Sequence, residues 1–429
     1  MGDIVNTNVL DFKAVGDGTT NDTLAINEAI AYTHNNGGGM VIVPKDHKFI
    51  VGYIRLLSNV TLVIEKNAII KATSNLNEFY NINDQRDTKI NVPTWENCWY
   101  NGKPSMFFIF ANDEENVGIT GEGIIDGNEQ IFYGNVTKWH IEGSFYPRVP
   151  LVYLENCKNV NISNVLLQNS AFWTLHLVGC NGVFIRNITI NNNLRMTNSD
   201  GIDPDHCQNV LIENCNISAA DDCIVLKTTE ANKRYGDTKN IVVKNCKLTS
   251  TSAAIKIGSE SVSNFENIMF ENIVIDKSNR GISIQLRDSG NASNIIFKNI
   301  KINTRRFSPI HWWGRAEAIA ITAIRRDKNT KVGNVKNIKF EGINTNGENG
   351  ILIYGENSNI QNIIFNDVYV NLERHTSWPT NDIDLRPSEL GNIEGHEHII
   401  YARNALDVEL NDFNYNANGF DCDNLIDIK

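Results

Sequence analysis

The sequence predicts an all-β protein, a right-handed parallel β-helix whose N-terminal end is covered by a short helix. A six-residue phrase ending in Asn recurs along the chain, and most copies begin about 23–31 residues after the previous one, a period typical of solenoid coils. Within each repeat, apolar residues alternate over short β-rich runs, without helical periodicity after residue 36. The copies read NVNISN at 159–164, GVFIRN at 182–187, NVLIEN at 209–214, NIVVKN at 240–245, NIMFEN at 267–272 and NIIFKN at 294–299, with looser copies at 337 and 362.

The repeat also predicts how the chain is organised. Stacked coils extend one continuous core, so residues 1–429 are expected to form a single domain. The Asn that closes each phrase is expected in a turn, where its amide stacks on the Asn of the neighbouring coil.

The N-terminal residues, about 1–40, are expected to cap the solenoid. Asp22 is placed to cap a helix in which Ile26, Ala29 and Ile30 form one apolar stripe. Such a helix would cover the core and the strand edges at the open end of the coils.

The remaining elements follow in chain order. Residues 40–75 read as short strands, and residues 76–104, rich in Asn, Asp, Trp and Tyr, read as a loop insertion. Coils are expected from 105 to about 370, and residues 371–429 are less regular and are expected to cover the far end.

Composition limits the function classes. A formal net charge of −11 argues against a nucleic-acid binder, which needs a basic face. No apolar run approaches the roughly 20 residues of a membrane span, so no membrane partner is expected. A monomer is expected, since neither a coiled coil nor a trimerisation segment is evident.

The eight cysteines are spread out without a CxxC pair, which predicts reduced core thiols rather than a metal or redox site. Cys215 and Cys246 each follow a closing Asn and should stack on neighbouring coils. Met1 leads directly into structure without a signal peptide. We therefore expect a cytoplasmic protein, the alternative being a secreted or periplasmic form whose signal has been removed.

Three aspartates stand out between two copies of the phrase. Asp200, in NSDGID, and the pair Asp221 and Asp222, in AADDCIVLK, are separated by about one repeat. Because Ile202 and Ile224 would point into the core, the acids should lie at the starts of adjacent strands on one outer face. Asp residues also favour turns between coils, but that explanation does not account for this spacing.

Such a cluster suits acid–base chemistry on a glycosidic bond. Strands about 4.8 Å apart would place the carboxyl groups roughly 5–9 Å from one another. Inverting hydrolysis uses an acid and a base roughly 6.5–9.5 Å apart with water between them. Like-charge repulsion would raise at least one pKa and keep a proton available near neutral pH.

With these motifs, the chain resembles glycoside hydrolase family 28, the polygalacturonase family, over roughly residues 10–370. NSDGID at 198–203 is similar to that family's NTD motif, AADDCIVLK at 219–227 to its DD motif, and AVGDGTTNDT near the N-terminus is typical of the wider pectate-lyase-like superfamily. The resemblance implies that Asp221 is the general acid and that Asp200 and Asp222 hold and deprotonate the attacking water. It implies inversion, a carbohydrate substrate, no cofactor and no metal.

The chain departs from that family at two places. Ala253 stands where the family has the His of its GHG motif, and Ser283 and Gln285 stand where it has the Arg and Lys of RIK. Since the basic pair grips a galacturonate carboxylate, its loss leaves open cleavage beside a neutral sugar, as in rhamnogalacturonan.

Other side chains are candidates for substrate binding. Lys227, Lys256 and Arg287 share the outward parity and could replace the missing cations, although each could be a solvated surface charge. Asp203 belongs to the same strand start, and His206 beyond it could replace the missing histidine. The other candidates on the predicted groove are His176, Gln285, Trp312, Trp313 and Arg315.

The loop insertions at 76–104 and 303–317 would wall off one end of the groove, which favours exo-action or short oligosaccharides. Two other functions remain open on this scaffold. A polysaccharide lyase would need calcium with six or more oxygen ligands, which three acids fit poorly. A tailspike-like β-helix that binds glycans without cleaving them is the second.

Overall fold

The computed structural model describes residues 5–81, 100–420 and 424–429. The prediction of a loop at 76–104 therefore falls largely on residues 82–99, outside the described part. The chain folds as a right-handed parallel β-helix, as predicted, with one α-helix over residues Thr23–Asn35.

One face of the solenoid is a twelve-stranded parallel sheet, which carries the aspartates and is called the site sheet. Its short strands follow one per coil along the axis. They are Ile54–Arg55, Ile109–Asn112, Val152–Glu155, Leu175–Val178, Ile202–Asp205, Ile224–Thr228, Ala253–Ser261, Arg280–Leu286, Glu317–Ala323, Asn349–Gly355, Ile400–Arg403 and Ile426–Ile428.

The second sheet has 21 strands and closes the other sides of the coils. Early coils contribute two short strands each, and from residue 265 onward these fuse into single long strands. The strands are Val5–Asn8, Asp17–Asn21, Gly39–Val43, Lys48–Val51, Val60–Ile64, Ile69–Ala72, Gly118–Gly121, Ile124–Asp126, Lys158–Ser163, Leu166–Gln168, Asn181–Arg186, Thr189–Asn191, Gln208–Glu213, Asn216–Ala219, Thr238–Lys244, Lys247–Ser250, Phe265–Ser278, Ala292–Thr304, Val335–Gly347, Ile360–Leu372 and Ala405–Asn416.

In the described part of the chain, three small antiparallel pairs and four 3₁₀ turns project from the coils. Two of the pairs, at 133–143 and 382–394, lie beside the site sheet. The segments that contain them contribute residues to the walls of the groove over that sheet. The pairs are Tyr133–Val136 with Ile141–Gly143, Asp382–Asp384 with Asn392–Glu394, and Tyr80–Asn81 with Met106–Phe107; the 3₁₀ turns are Val9–Phe12, Leu76–Glu78, Glu129–Phe132 and Glu230–Tyr235.

The register is set by ladders of identical residue types along the core. Ile202 pairs with Ile224, which pairs with Ile255, and all three are fully buried, as the alternation predicted. In the second sheet, Phe270, Phe297, Phe340 and Phe365 stack face to face with ring centroids 4.9–5.2 Å apart. Stacked rings and isoleucines fill successive coils with matching volumes, so the core continues without interruption.

The closing Asn residues form the predicted ladder. Asn187, Asn214 and Asn245 have a left-handed φ of 55–57°, which Asn tolerates better than most residues. Each side-chain amide donates to the Asn of the preceding coil, at 3.2–3.3 Å. The turn and the contact between coils therefore depend on the same side chain.

The N-terminal helix Thr23–Asn35 buries Ile26, Ala29 and Ile30 against the first coils, as expected. The expected side-chain cap was wrong. Asp22 occupies the N-cap position but accepts from the backbone N–H groups of Val15 and Gly16, at 2.7 and 3.1 Å, so it ties down the preceding loop.

The six cysteines among the described residues are free and buried, and they include Cys215 and Cys246. Cys98 and Cys422 lie outside the described residues. Within the described ranges, no helix is both long enough and apolar enough to cross a membrane.

The phenylalanine stack should contribute strongly to stability. Phe297→Ala removes a fully buried ring from the middle of the stack, and the cavity should cost about 3–5 kcal/mol, seen as a lower Tm in calorimetry. Phe184→Ala, at a ring 39% exposed on the outer face, is the control and should change stability by less than about 1 kcal/mol. Equal losses would show that the stack is not what stabilises the coils.

Candidate active site

The three aspartates lie at one corner of two adjacent coils. Because Ile202 pairs with Ile224 across parallel strands, the residues two positions earlier, Asp200 and Asp222, occupy equivalent places on neighbouring coils. The N–H of Gly201 donates to the carbonyl of Asp222 at 2.8 Å. A Cβ at position 201 would lie 2.3 Å from the carbonyl oxygen of Cys223, so glycine is needed for this approach.

The carboxyl groups converge, as predicted, but more closely than the roughly 5–9 Å expected from the strand spacing. One oxygen from each of Asp200, Asp221 and Asp222 lies within 4.8 Å of the other two. A water molecule lies about 2.7–2.8 Å from an oxygen to which it is hydrogen-bonded, so oxygens this close together can share one. The cluster can therefore surround a single water molecule.

Asp222 is the acid with the most donors. Its Oδ1 accepts from the hydroxyl of Ser252 at 2.9 Å and from the N–H of Ala253 at 3.1 Å, and its Oδ2 accepts from the Lys256 ammonium at 2.8 Å. Three donors on a buried carboxyl stabilise its ionised form.

Asp200 and Asp221 have the opposite environment. Burial, then the charge of Asp222, raises the pKa of Asp221 to about 6. Burial, followed by the charge of Asp221, raises the pKa of Asp200 well above its ordinary value. The Oδ1 of Asp200 has no hydrogen-bond partner among the described residues. The cluster thus combines two carboxyl groups whose pKa is raised with a third, Asp222, that three donors engage, a difference in environment that suits acid and base roles.

A buried guanidinium holds the turn that leads to Asp200. Arg148 is 1% exposed and donates to the carbonyls of Ala171 and Thr197, at 2.7 and 2.6 Å, and to the side chain of Asn198 at 3.0 Å. The N–H of Asn198 in turn donates to Asp221 at 3.2 Å. Arg148 therefore fixes the backbone on which the cluster depends.

The carboxyl groups line a pocket of about 210 Å³ over the site sheet. Its walls come from segments far apart in the sequence and are rich in aromatic side chains. The residues that line the walls are Tyr100, His140, Glu142, Tyr146, Trp173, Trp312, Trp313 and Pro387. Aromatic faces beside a few convergent polar groups are typical of a small-molecule site.

Four predicted binding residues line this pocket, namely Lys227, Lys256, Trp312 and Trp313. Lys227 is buried over the ring of Trp173, at 4.2 Å, and pairs with Glu260 at 3.0 Å. Burial alone would lower the pKa of Lys227, but the charges of Glu260 and the aspartates outweigh it and raise that pKa. Lys256 likewise pairs with Asp222. Lys227 and Lys256 are therefore paired with acidic residues rather than solvated on the surface.

The prediction that His176 contacts substrate was wrong. The residue faces away from the core, but it is fully buried beneath the rings of Trp173 and Tyr100. Its Nε2 lies 3.3 Å from Asp205. Asp203, expected on the groove, is also fully buried, and neither carboxyl oxygen has a partner among the described residues.

His206 does not replace the missing histidine either. Its ring is engaged by the backbone carbonyls of Thr229, at 2.9 Å, and Gly236. Arg315, expected on the sugar, is 8% exposed and pairs instead with Asp382 and Asp384, so it holds a wall of the pocket together.

Gln285 and Arg287 are covered by a distant segment. Three consecutive carbonyls, at 384–386, accept from Arg280 at 2.5 Å, Arg287 at 3.0 Å and Gln285 at 3.0 Å. This segment lies along the strand Arg280–Leu286, so neither predicted residue reaches the pocket. Parity showed that these side chains face outward, but not that another part of the chain lies over them.

Several pocket residues were missed. Trp173 stands two positions before Leu175, which pairs with Ile202, so it occupies on the preceding coil the place that Asp200 has on its own. Counting the register would have found it. Glu260, four positions after Lys256, has the same parity along the sequence. Arg326 and Tyr100 reach the pocket through loops, for which the sequence offers no period.

The acid cluster suits protons better than a metal. The three aspartates are the one group of three or more potential metal ligands found in the described ranges. Calcium requires six or more oxygen ligands, and the ammonium of Lys256 already lies against Asp222.

Comparisons with known proteins agree with the fold and show the family. The sequence profile of glycosyl hydrolases family 28 matches residues 70–388. A probable polygalacturonase from Vitis vinifera is 31% identical over 268 residues, 59% of this chain and 52% of the relative. An endo-polygalacturonase from Pectobacterium carotovorum subsp. carotovorum is 30% identical over 224 residues, which are 50% of this chain and 52% of the relative. The chain thus spans about half the length of these relatives.

Two solved structures share the fold over nearly the whole chain. An exopolygalacturonase from Thermotoga maritima has a TM-score of 0.71 at 23% identity and covers 91% of this chain and 94% of its own. A family 28 exopolygalacturonase from Yersinia enterocolitica has a TM-score of 0.68 at 19% identity, with coverages of 96% and 78%.

The buried acids should reduce the stability of the fold at pH values above the pKa that an aspartate has in the unfolded chain. Since the folded-state pKa of Asp200 is raised, its favourable contribution is complete below an unfolded pKa of about 3.9 and is lost as the pH rises towards the folded value. Asp200→Asn should therefore raise Tm at pH 7, and the gain should disappear near pH 4.

The control is Asp276→Asn, at a side chain 44% exposed on the outer surface, which should change Tm little at either pH. A Tm that Asp200→Asn lowers at pH 7 would show that the carboxylate is stabilised where it lies.

Proposed function

This chain belongs to glycosyl hydrolases family 28, and we propose that it hydrolyses a glycosidic bond of a pectin-related poly- or oligosaccharide with inversion at the anomeric carbon. The observation that carries the proposal is the convergence within 4.8 Å of three carboxyl groups that line one pocket, those of Asp200 and Asp222 buried and that of Asp221 partly exposed. Their environments differ enough for one to give a proton and another to accept one.

Asp221 is the general acid in this proposal. A pKa of about 6, raised first by burial, leaves much of its carboxyl group protonated near neutral pH. Its proton goes to the glycosidic oxygen as the bond to the anomeric carbon breaks. The leaving sugar then departs as a neutral hydroxyl compound.

Asp222 and Asp200 hold the attacking water. The ionised Asp222, with its three donors, accepts the proton that the water loses as its oxygen bonds to the anomeric carbon. Asp200 orients the same water through its unshared oxygen. One water displaces one leaving group from the opposite face, so the configuration inverts. The carboxyl oxygens lie closer together than the roughly 6.5–9.5 Å usual for an inverting pair, so it is the resemblance to family 28 that supports inversion.

Neutral sugars are the preferred residues on the leaving-group side. Ser283 and Gln285 stand in place of a basic pair, and the segment 384–386 covers that strand. What faces the pocket there is the ring of Trp313 and Pro387. Apolar faces stack on a pyranose ring without demanding a carboxylate, which supports a rhamnogalacturonan or another glycan with neutral sugars.

The walls favour action at chain ends or on short oligosaccharides. The hairpin Tyr133–Val136 and Ile141–Gly143 meets the loop at 305–316 over the pocket, where His140 stacks on His311 at 4.5 Å and Trp312 donates to the carbonyl of Trp139 at 3.2 Å. A groove open at both ends would be needed to accommodate a long chain.

The test is hydrolysis of a panel of homogalacturonan, rhamnogalacturonan and their oligosaccharides, with the products identified by mass. Wild type should release products fastest where a neutral sugar lies on the leaving-group side. Asp221→Asn should lower kcat by about 100-fold or more while substrate still binds in calorimetry, and Asp276→Asn should match wild type.

Faster cleavage of homogalacturonan would overturn the preference for neutral sugars. Full turnover by Asp221→Asn would overturn the assignment of the acid. Glycan binding without any product across the panel would favour the tailspike-like function instead.

A further inference from the structure

Lys256 was expected to face substrate, but its ammonium is already engaged within the cluster. It projects from the strand Ala253–Ser261, where it pairs with Val225 of the coil that carries the acids. Its side chain is 11% exposed, and its Nζ lies 2.8 Å from Oδ2 of Asp222. The contact is a charge-assisted hydrogen bond in a poorly solvated place, where such bonds are strong.

The other cations near the cluster are engaged elsewhere. Lys227 pairs with Glu260 at 3.0 Å. The guanidinium of Arg148 donates to backbone carbonyls and to Asn198. Lys256, by contrast, is bonded to a carboxyl of the cluster, and that carboxyl is Asp222.

We propose that Lys256 is a positioning residue which fixes the negative charge of the cluster on Asp222 and so selects Asp222 as the base and Asp221 as the acid. The proposal rests on the hydrolytic function described above. It assigns to Lys256 an action through Asp222 rather than a contact with the carboxylate of a sugar.

The geometry explains why one ammonium suffices. Asp222 is 1% exposed, so its charge has almost no water to stabilise it. Ser252 and the N–H of Ala253 bind one oxygen, and Lys256 binds the other and supplies the compensating charge. Once Asp222 is charged, its repulsion favours protonation of Asp221, 4.8 Å away or less.

Several other charged groups act on the same carboxyl groups. They come from the turn before Asp200, from the neighbouring strands and from the segment that carries Arg148. The facing groups are Arg148, Asp200, Asp203, Lys227 and Glu260. All of them remain when Lys256 alone is changed, so a shift in pH dependence reports the loss of its ammonium.

The test compares the pH profiles of kcat and kcat/KM for wild type, Lys256→Met and Lys256→Arg. Removing a positive charge favours protonation of the carboxyl cluster. The acidic and basic limbs of the pH profile should therefore both move to higher pH, by on the order of one unit, in Lys256→Met. Its kcat at the wild-type optimum should fall about 10-fold or more, with little change in KM. Lys256→Arg retains the charge and should retain the positions of both limbs.

Lys247→Met is the matched control. Lys247 lies on Lys247–Ser250, the strand of the second sheet that comes directly before the strand of Lys256 in the chain, and its side chain is 59% exposed. It should leave the profile unchanged. A higher KM for Lys256→Met with unshifted limbs would overturn the proposal and assign the ammonium to the substrate.

A measurement without substrate separates this proposal from the hydrolytic function. Carboxyl carbons of ¹³C-labelled aspartate, assigned with Asp221→Asn and Asp222→Asn, report by NMR which carboxyl group of the cluster carries the charge as it titrates. In wild type the charge should reside on Asp222, and in Lys256→Met it should be shared with Asp221, even if no tested glycan is cleaved. An unchanged titration would overturn the role of Lys256 and leave the hydrolytic proposal standing on its own panel.

Discussion

The site depends on the parallel register between the strands Ile202–Asp205 and Ile224–Thr228. Because side chains alternate along a strand, a slip of one residue would turn the aspartates towards the core and the isoleucines towards solvent. The isoleucine ladder prevents this slip, since Ile202, Ile224 and Ile255 are fully buried in one column. The packing of the core therefore positions the carboxyl groups, and no separate device is needed to bring them together.

The same register concentrates unfavourable charge in one corner. Three acids within 4.8 Å of one another, two of them buried, oppose folding unless they are protonated, hydrogen-bonded or paired. The structure uses all three means: Asp222 is bonded to Lys256, Asp221 accepts from Asn198, and burial keeps the proton on Asp200. The packing of the repetitive core on both sides of this corner supplies the favourable free energy of folding that offsets the cost of the clustered acids.

The sequence predicted what is periodic and missed what is not. The Asn ladder, the inward isoleucines and the convergence of the three aspartates each follow from a repeat whose copies can be aligned in the sequence, although its length varies. His176 and Arg287 were misassigned because parity describes one strand and not what covers it. The ring of Trp173 covers the first, and the carbonyl of Leu385, about 100 residues away in the chain, covers the second.

The central claim is that one water, held by the carboxyl cluster, displaces the leaving sugar in a single step. Proton NMR of a hydrolysis mixture, recorded before the product equilibrates, measures the configuration of the new reducing end directly. The account predicts a product whose anomeric configuration is opposite to that of the bond cleaved. A first product with the same configuration would mean that an aspartate attacks the sugar itself, and it would contradict the proposed role of the water.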